Sequence, residues 1–201
     1  MAYTHIFPTC VFSDIQLELA DKILPIANEY LEKHGTVLTK FKNHISTYKN
    51  KDVGAMIMND PRMKILGDYI RGISYQYLND NNVDANRYND LGSNIFYLFN
   101  KIGKDSTHNL HAHPSSLLSG CFYLDACDDS PPLIFKDPRP YYDYVYYEPI
   151  FNRTTPYTLL PEFVVPVKKG MILLWPSWLA HEVPLSNSDG NRITVAFNVN
   201  G

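Results

Sequence analysis

The sequence predicts a mainly β fold of the α+β class, a sandwich or barrel supported by N-terminal helices. Two observations carry this expectation. From Leu91 onward, short β-prone runs alternate with Gly, Pro, Asn and Asp, whereas the segment before it repeats apolar residues at helical spacing. The composition agrees, because fifteen Tyr and ten Phe favour strands and supply pocket walls with polar tips.

The elements follow in chain order. Ser13 or Asp14 is placed to cap a first helix, in which Leu19, Ile23, Ala27, Tyr30 and Leu31 form a stripe, Pro25 is a kink point and Gly35 a stop. A second helix has Asp60 as cap, Pro61 at its first position, and Met63, Leu66, Ile70, Ile73 and Tyr77 on one face. Both stripes read as core faces that pack on a sheet. Strands are expected at 94–99, 117–124, 133–135, 163–167, 171–175, 181–184 and 192–199. Lys168-Lys169-Gly170 and Ser188-Asp189-Gly190-Asn191 read as hairpin turns, which predicts that the last three strands are antiparallel neighbours. The stretch 138–156, crowded with Tyr141, Tyr142, Tyr144, Tyr146 and Tyr147, is a long functional loop and a candidate lid. The whole reads as one domain, with 1–90 as helical support and 91–201 as the β core.

Composition excludes several functions. A chain of 201 residues, 45% of them apolar, buries about 70% of its unfolded surface and needs neither disulfides nor a structural metal to fold. Cys10, Cys121 and Cys127 are odd in number and form no C-x-x-C pair, so no disulfide framework or zinc ribbon is implied. A net charge of -3 with no Lys/Arg run offers no grip on a phosphate backbone, so no nucleic acid is expected as a partner. No long apolar run and no leader-like N-terminus stand in the sequence, so the expectation is a soluble cytoplasmic protein with no membrane partner and, by default, a homodimer.

Histidine placement carries the chemistry. His111 and His113 are separated by one residue, so on an extended segment both imidazoles leave the same face. His181 opens a strand far downstream, and a sheet folded back on itself brings it to the same point. Three neutral imidazoles that leave positions open suit a catalytic iron, zinc, copper or nickel ion. An incidental surface pair is the plain alternative. On the last strand Arg192, Thr194, Ala196 and Asn198 share one face and Ile193, Val195, Phe197 and Val199 the other. Arg192 is placed to clamp the far carboxylate of a metal-chelating ligand, with Thr194 adding a hydroxyl, although a lone strand Arg is also a common solvated charge. Cys121, Trp175 and Trp178 are candidate pocket or core residues. His108 lies near the site without a motif, and His5, His34 and His44 read as incidental.

Four ordered motifs resemble those of the iron(II)/2-oxoglutarate-dependent oxygenases: His111-Ala112-His113-Pro114 leading to Phe122-Tyr123-Leu124, then Phe135-Lys136-Asp137-Pro138-Arg139, then Lys169-Gly170-Met171 through Trp175 to His181-Glu182-Val183, then Arg192-Ile193-Thr194. The likeness is to the prolyl-hydroxylase-related branch met in phages and marine bacteria, and it covers about half the chain. It implies a double-stranded β-helix, or jelly roll, with the helices packed outside. It also implies Fe(II), 2-oxoglutarate and O2 as metal and cosubstrates, and hydroxylation of an unidentified substrate such as a peptide side chain or a metabolite. By motif, His111 and His181 match iron ligands, and Arg192, Thr194 and Tyr123 match residues that hold 2-oxoglutarate. Asn94 and Tyr97 match substrate or cosubstrate contacts. The family carries Asp or Glu two residues after the first His, where this chain has His113. Either His113 is the third metal ligand or a carboxylate arrives from elsewhere, Asp137 being the candidate; Asp137 and Arg139 also suit a turn ion pair. Two other functions remain open from sequence: a three-histidine cupin-type dioxygenase that ignores 2-oxoglutarate, and a non-catalytic metal or small-ligand binding module.

Overall fold

The computed structural model describes residues 9–38, 43–88, 91, 95–139 and 162–200. In chain order the elements are β1 (Phe12–Ile15), α1 (Leu17–His34), β2 (Thr36–Val37), β3 (His44–Ser46), α2 (Lys51–Asn59), α3 (Lys64–Asp80), β4 (Ile95–Ile102), β5 (His108–His111), β6 (Leu118–Asp125), β7 (Leu133–Lys136), β8 (Glu162–Val165), β9 (Met171–Pro176), β10 (His181–Val183) and β11 (Arg192–Val199). A 3-10 turn, Pro61–Met63, leads into α3. The candidate lid at 138–156 lies, beyond Arg139, outside the described residues.

The helices form where apolar stripes recur every three or four residues. Leu19, Ile23, Ile26, Ala27, Tyr30 and Leu31 of α1 are buried, as are Leu66, Ile70, Ile73 and Tyr77 of α3. Asp60 caps as its sequence predicts, accepting from the Arg62 backbone N–H at 2.9 Å. Ser13 and Asp14 do not cap α1. They pair with Leu173 and Ile172 in β1, and Gln16 takes the cap position with its N–H donating to the Gly170 carbonyl at 2.7 Å. Pairing with β9 overrides the local capping preference, a contest that local sequence does not display. Asp14 instead accepts from the Tyr69 hydroxyl and the Gln16 amide. The first ninety residues thus add β1, β2 and β3 to the sheet as well as helices, and α2, capped by Asn50, is a further element unseen in the sequence.

Two antiparallel sheets form the shell, one in the order β1-β9-β6-β11-β4-β3-β2 and one in the order β5-β10-β7-β8. The helices cover one face of the larger sheet, where Ile193, Val195, Phe197 and Val199 of β11 join Phe99, Phe122 and Ile172 in the main core. The opposite face meets the smaller sheet across a second cluster that includes Tyr123, Trp175, Phe135 and Leu133. The last three strands are not neighbours, contrary to the sequence expectation. β9 and β11 lie in the larger sheet and β10 in the smaller, so each short turn carries the chain from one sheet to the other. The turn at Lys168-Lys169-Gly170 exists, with Gly170 at φ 80° and Met171 N–H donating to the Lys168 carbonyl, but it joins two sheets. From β4 to β11 the chain alternates between sheets except at β7–β8, the winding of a double-stranded β-helix. Among the described residues no helix is long and apolar enough to cross a membrane.

The layers are close-packed at the centre of the larger sheet. A Cβ on Gly120 of β6 would overlap the Phe197 ring and the Leu173 carbonyl oxygen. Gly120→Ala is therefore expected to destabilise the protein by about 1–3 kcal/mol, the usual cost of overpacking a core, read as a lower urea midpoint at unchanged slope.

Candidate active site

A cavity of about 590 Å³ lies between the sheets. Its floor is the inner face of β4, β6 and β11, and its roof is β5 and β10 with the segment after β5. In the roof, His181 begins β10 and pairs directly with His111, the last residue of β5. His113 sits two residues past the strand end. Its backbone N–H donates to the Ser177 carbonyl at 2.8 Å, and this bond, rather than strand parity, brings its ring to the other two. One ring nitrogen from each of His111, His113 and His181 lies within 4.8 Å of the others. Ring centroids are 4.4 Å apart for His111 and His181 and 5.0 Å for His111 and His113.

Backbone carbonyls select the tautomers. The Nδ1 of His111 is 2.7 Å from the Asn109 carbonyl, and that of His181 is 2.9 Å from the Leu179 carbonyl. A carbonyl only accepts, so each Nδ1 carries a proton and each Nε2 is the nitrogen left for the cluster. Burial pulls His181 down to about 3 and His113 down to about 4, with neighbouring imidazoles adding to the effect. Both are neutral at pH 7, the form that ligates a metal. Asp137 does not join them. Its carboxylate accepts from the Arg139 backbone at 2.9 Å and from its guanidinium at 2.8 Å, in a turn ion pair. Among the described residues, the one group of metal-ligand side chains this close contains no carboxylate.

Arg192 projects from β11 into the same cavity and is only 3% exposed. It donates to the Tyr123 hydroxyl at 3.1 Å, with its guanidinium carbon 4.9 Å from the Tyr123 ring centre. Its Nε and Nη1 have no partner among the described residues. A buried cation with unpaired donors and no carboxylate beside it is costly unless an external anion completes it. Thr194 pairs with Tyr123 across β11 and β6 and lines the same end of the cavity. Burial raises the Tyr123 phenol well above its ordinary value and pushes the Cys121 thiol up, so both stay protonated donors.

Other sequence candidates divide. Trp175 walls the cavity 4.9 Å from the His181 ring, whereas Trp178 is 52% exposed and lies away from the lining. Tyr97 faces the helices within the main core, and Asn94 and His5 lie outside the described residues. His108, placed near the site from sequence but without a motif, and His44, read there as incidental, both join the histidine group. His108 stacks on His111 at 4.3 Å and lines the cavity, and His44, buried, stands edge-on to His108 at 5.5 Å. Burial draws His108 down to about 3 and lowers His44. Residues three apart on a regular strand face opposite ways, but the pairing of β5 with β10 shifts register between His181 and Val183, and the irregularity puts both imidazoles on one side. No sequence signal marks that shift.

Residues 98–198 match the 2OG-Fe(II) oxygenase family. None of the curated proteins matches the chain in sequence. Among solved structures, the non-heme alpha ketoglutarate dependent epimerase SnoN from nogalamycin biosynthesis superposes with a TM-score of 0.57 at 11% identity, over 95% of this chain and 77% of that one. A Pseudomonas putida prolyl-4-hydroxylase gives 0.56 at 12% identity, over 96% and 92%. HygX from Streptomyces hygroscopicus, with nickel and 2-oxoglutarate bound, gives 0.54 at 13% identity, over 96% and 83%. At such identities the likeness is one of fold. The family match, by contrast, spans half the chain and contains the three clustered histidines, Tyr123 and Arg192, so this protein belongs to the Fe(II)- and 2-oxoglutarate-dependent oxygenases.

Proposed function

We propose that His111, His113 and His181 hold Fe(II), that Arg192 with Tyr123 and Thr194 holds the distal carboxylate of 2-oxoglutarate, and that the protein hydroxylates a C–H bond of a substrate bound in the rest of the cavity. The observation that carries this reading is Arg192, a buried guanidinium with two nitrogens unpartnered among the described residues, in the same cavity as three clustered imidazoles. The donor set fits the metal. Imidazole nitrogen suits divalent iron, and three protein ligands leave positions open for a chelating cosubstrate and O2. Iron(II) and 2-oxoglutarate together supply the O2 activation and C–H oxidation that no side chain provides.

The residues supply placement and charge. The Asn109 and Leu179 carbonyls fix two rings with Nε2 forward, and Ser177 fixes the backbone of the third. Arg192 orients a dicarboxylate by its far end, which leaves the α-keto acid end for the metal. The Tyr123 phenol, held protonated by burial, adds a donor there. With His113 in place of the family's carboxylate, the protein contributes no negative charge to the metal, and charge balance falls to the bound dianion. A cupin-type dioxygenase that binds substrate directly on iron would leave Arg192 without an anion. With a net charge of -3 and one cavity-facing guanidinium, we read the substrate as a peptide or small molecule rather than a nucleic acid.

Three results are expected. Arg192→Ala raises the 2-oxoglutarate dissociation constant by about 100-fold, from the loss of charge-assisted hydrogen bonds worth roughly 1.5–3 kcal/mol each, while iron stoichiometry holds. Anaerobic titration of the Fe(II) protein measures it, and an unchanged constant sinks the cosubstrate assignment. His113→Ala lowers bound iron per chain whereas Asp137→Ala leaves it intact; full occupancy in the first variant shows that His113 is not a ligand. For pH, the folded values of His108, His113 and His181 lie near 3 to 4, below the 6.5 of the unfolded chain. Unfolding therefore takes up protons between those limits, and the metal-free protein loses stability as pH falls from 6.5 towards 4, checked by urea titration at fixed pH steps.

A further inference from the structure

The cavity is cationic without a protein anion. Among the described residues its lining contains no Asp or Glu, whereas it contains Arg192 and Lys49. The acidic side chains nearest to the histidines in sequence are engaged elsewhere. Glu182, which follows His181, pairs with Lys136 at 2.9 Å, and Asp137 pairs with Arg139. Behind the ligand rings the partners are uncharged as well. The carbonyls of Asn109 and Leu179 take the Nδ1 protons of His111 and His181, at positions where metal-binding histidines often have a carboxylate.

This distribution sets the energetics of filling the site. A divalent ion held by three neutral imidazoles keeps its full charge, because nitrogen lone pairs cancel none of it. In the same cavity stands the guanidinium of Arg192, 3% exposed, with two nitrogens unpartnered among the described residues. Two cationic centres in one water-poor space repel each other, and neither meets a carboxylate that offsets it. A dicarboxylate that reaches both removes the repulsion and the missing counter-charge together. Each ligand therefore supplies what the other lacks, and binding free energies linked in this way are reciprocal. A carboxylate at position 113 would place one negative charge at the ion beforehand and weaken the link.

Building on the metal and cosubstrate placement above, we infer that the metal ion and the dicarboxylate are held as one unit. The chain binds a divalent ion weakly by itself and tightly once 2-oxoglutarate is present, and His113, by withholding the charge of a carboxylate, is the residue that sets this dependence. Metal loading then follows the supply of cosubstrate. Chelation by a keto acid couples the two ligands at any metal site, so the charge at position 113 is the quantity to vary.

The metal-free full chain is titrated with Co(II), a redox-stable stand-in for Fe(II) followed by its visible d–d bands, without and with saturating 2-oxoglutarate. Calorimetry measures 2-oxoglutarate without and with Co(II). In the wild type, 2-oxoglutarate is expected to tighten Co(II) binding about 100-fold, and Co(II) to tighten 2-oxoglutarate binding by the same factor. His113→Asp is expected to bind Co(II) alone about tenfold more tightly and to lose about tenfold of the coupling, because one carboxylate now sits at the ion. His113→Asn changes the ligand without adding charge and keeps the wild-type coupling. Equal coupling in the wild type and His113→Asp, or the same loss in His113→Asn as in His113→Asp, overturns the inference. Two further results separate it from the placement on which it rests. Unchanged Co(II) affinity in His113→Ala removes His113 from the metal, and a Co(II)-loaded chain that binds no 2-oxoglutarate removes the cosubstrate; either takes the coupling with it.

Discussion

A guanidinium removed from water without a carboxylate to meet it is the constraint on which the site depends. Arg192 begins β11, where it pairs with Ile102 of β4, and from the next residue, Ile193, the strand pairs with both β4 and β6, which anchors the backbone that carries the guanidinium. Tyr123, brought alongside by the same register, accepts one hydrogen bond and offers the face of a ring, and two nitrogens find no partner among the described residues. Such a charge is tolerable in a fold that spends its working life with an anion bound. The distal carboxylate of the family's cosubstrate is an anion of that kind.

Opposite Arg192 the problem is inverted. Three imidazoles are crowded together, and burial keeps His113 and His181 neutral where water would leave them partly protonated near pH 6.5. Crowding neutral lone pairs is tolerable, whereas crowding imidazolium ions is not, so the same burial that weakens the fold in acid prepares a metal site. Two carbonyls complete the preparation by choosing which nitrogen faces the cluster. His113 is the least constrained member, held through its backbone on a segment beyond the strand, and it stands where the family has a carboxylate. With the proposed ligand set, the protein's side of the metal would be neutral, and compensation would fall to the bound dianion.

Much of this was legible in the chain. The alternation on β11 assigned Arg192, Thr194, Ala196 and Asn198 to one face and Ile193, Val195, Phe197 and Val199 to the other, because a strand has a period of two that side chains cannot evade. The stripes of α1 and α3 were equally plain. Ser13 and Asp14 show the opposite case: good capping residues that serve as strand residues because β9 offers them partners from about 160 residues away. The turns at 168–170 and 188–191 were recognisable as turns, yet nothing local says whether a turn returns the chain to its own sheet or passes it to the other. His108 joined the histidine group through a register shift, which belongs to two strands at once and is written in neither.

By itself, the sequence determined which residues are candidates for the chemistry: a His-x-His pair, a distant His opening a strand, and an Arg in phase with a Thr. Local spacing decides such things, since it sets which side chains share a face. Only the tertiary structure decided which faces look at each other. The winding between sheets places His181 against His111, buries Arg192 in sight of both, and leaves Asp137 with Arg139 instead of with the histidines. The physical reason is that burial and convergence are properties of pairs of strands far apart in the chain, and they exist only once both sheets have closed on one cavity.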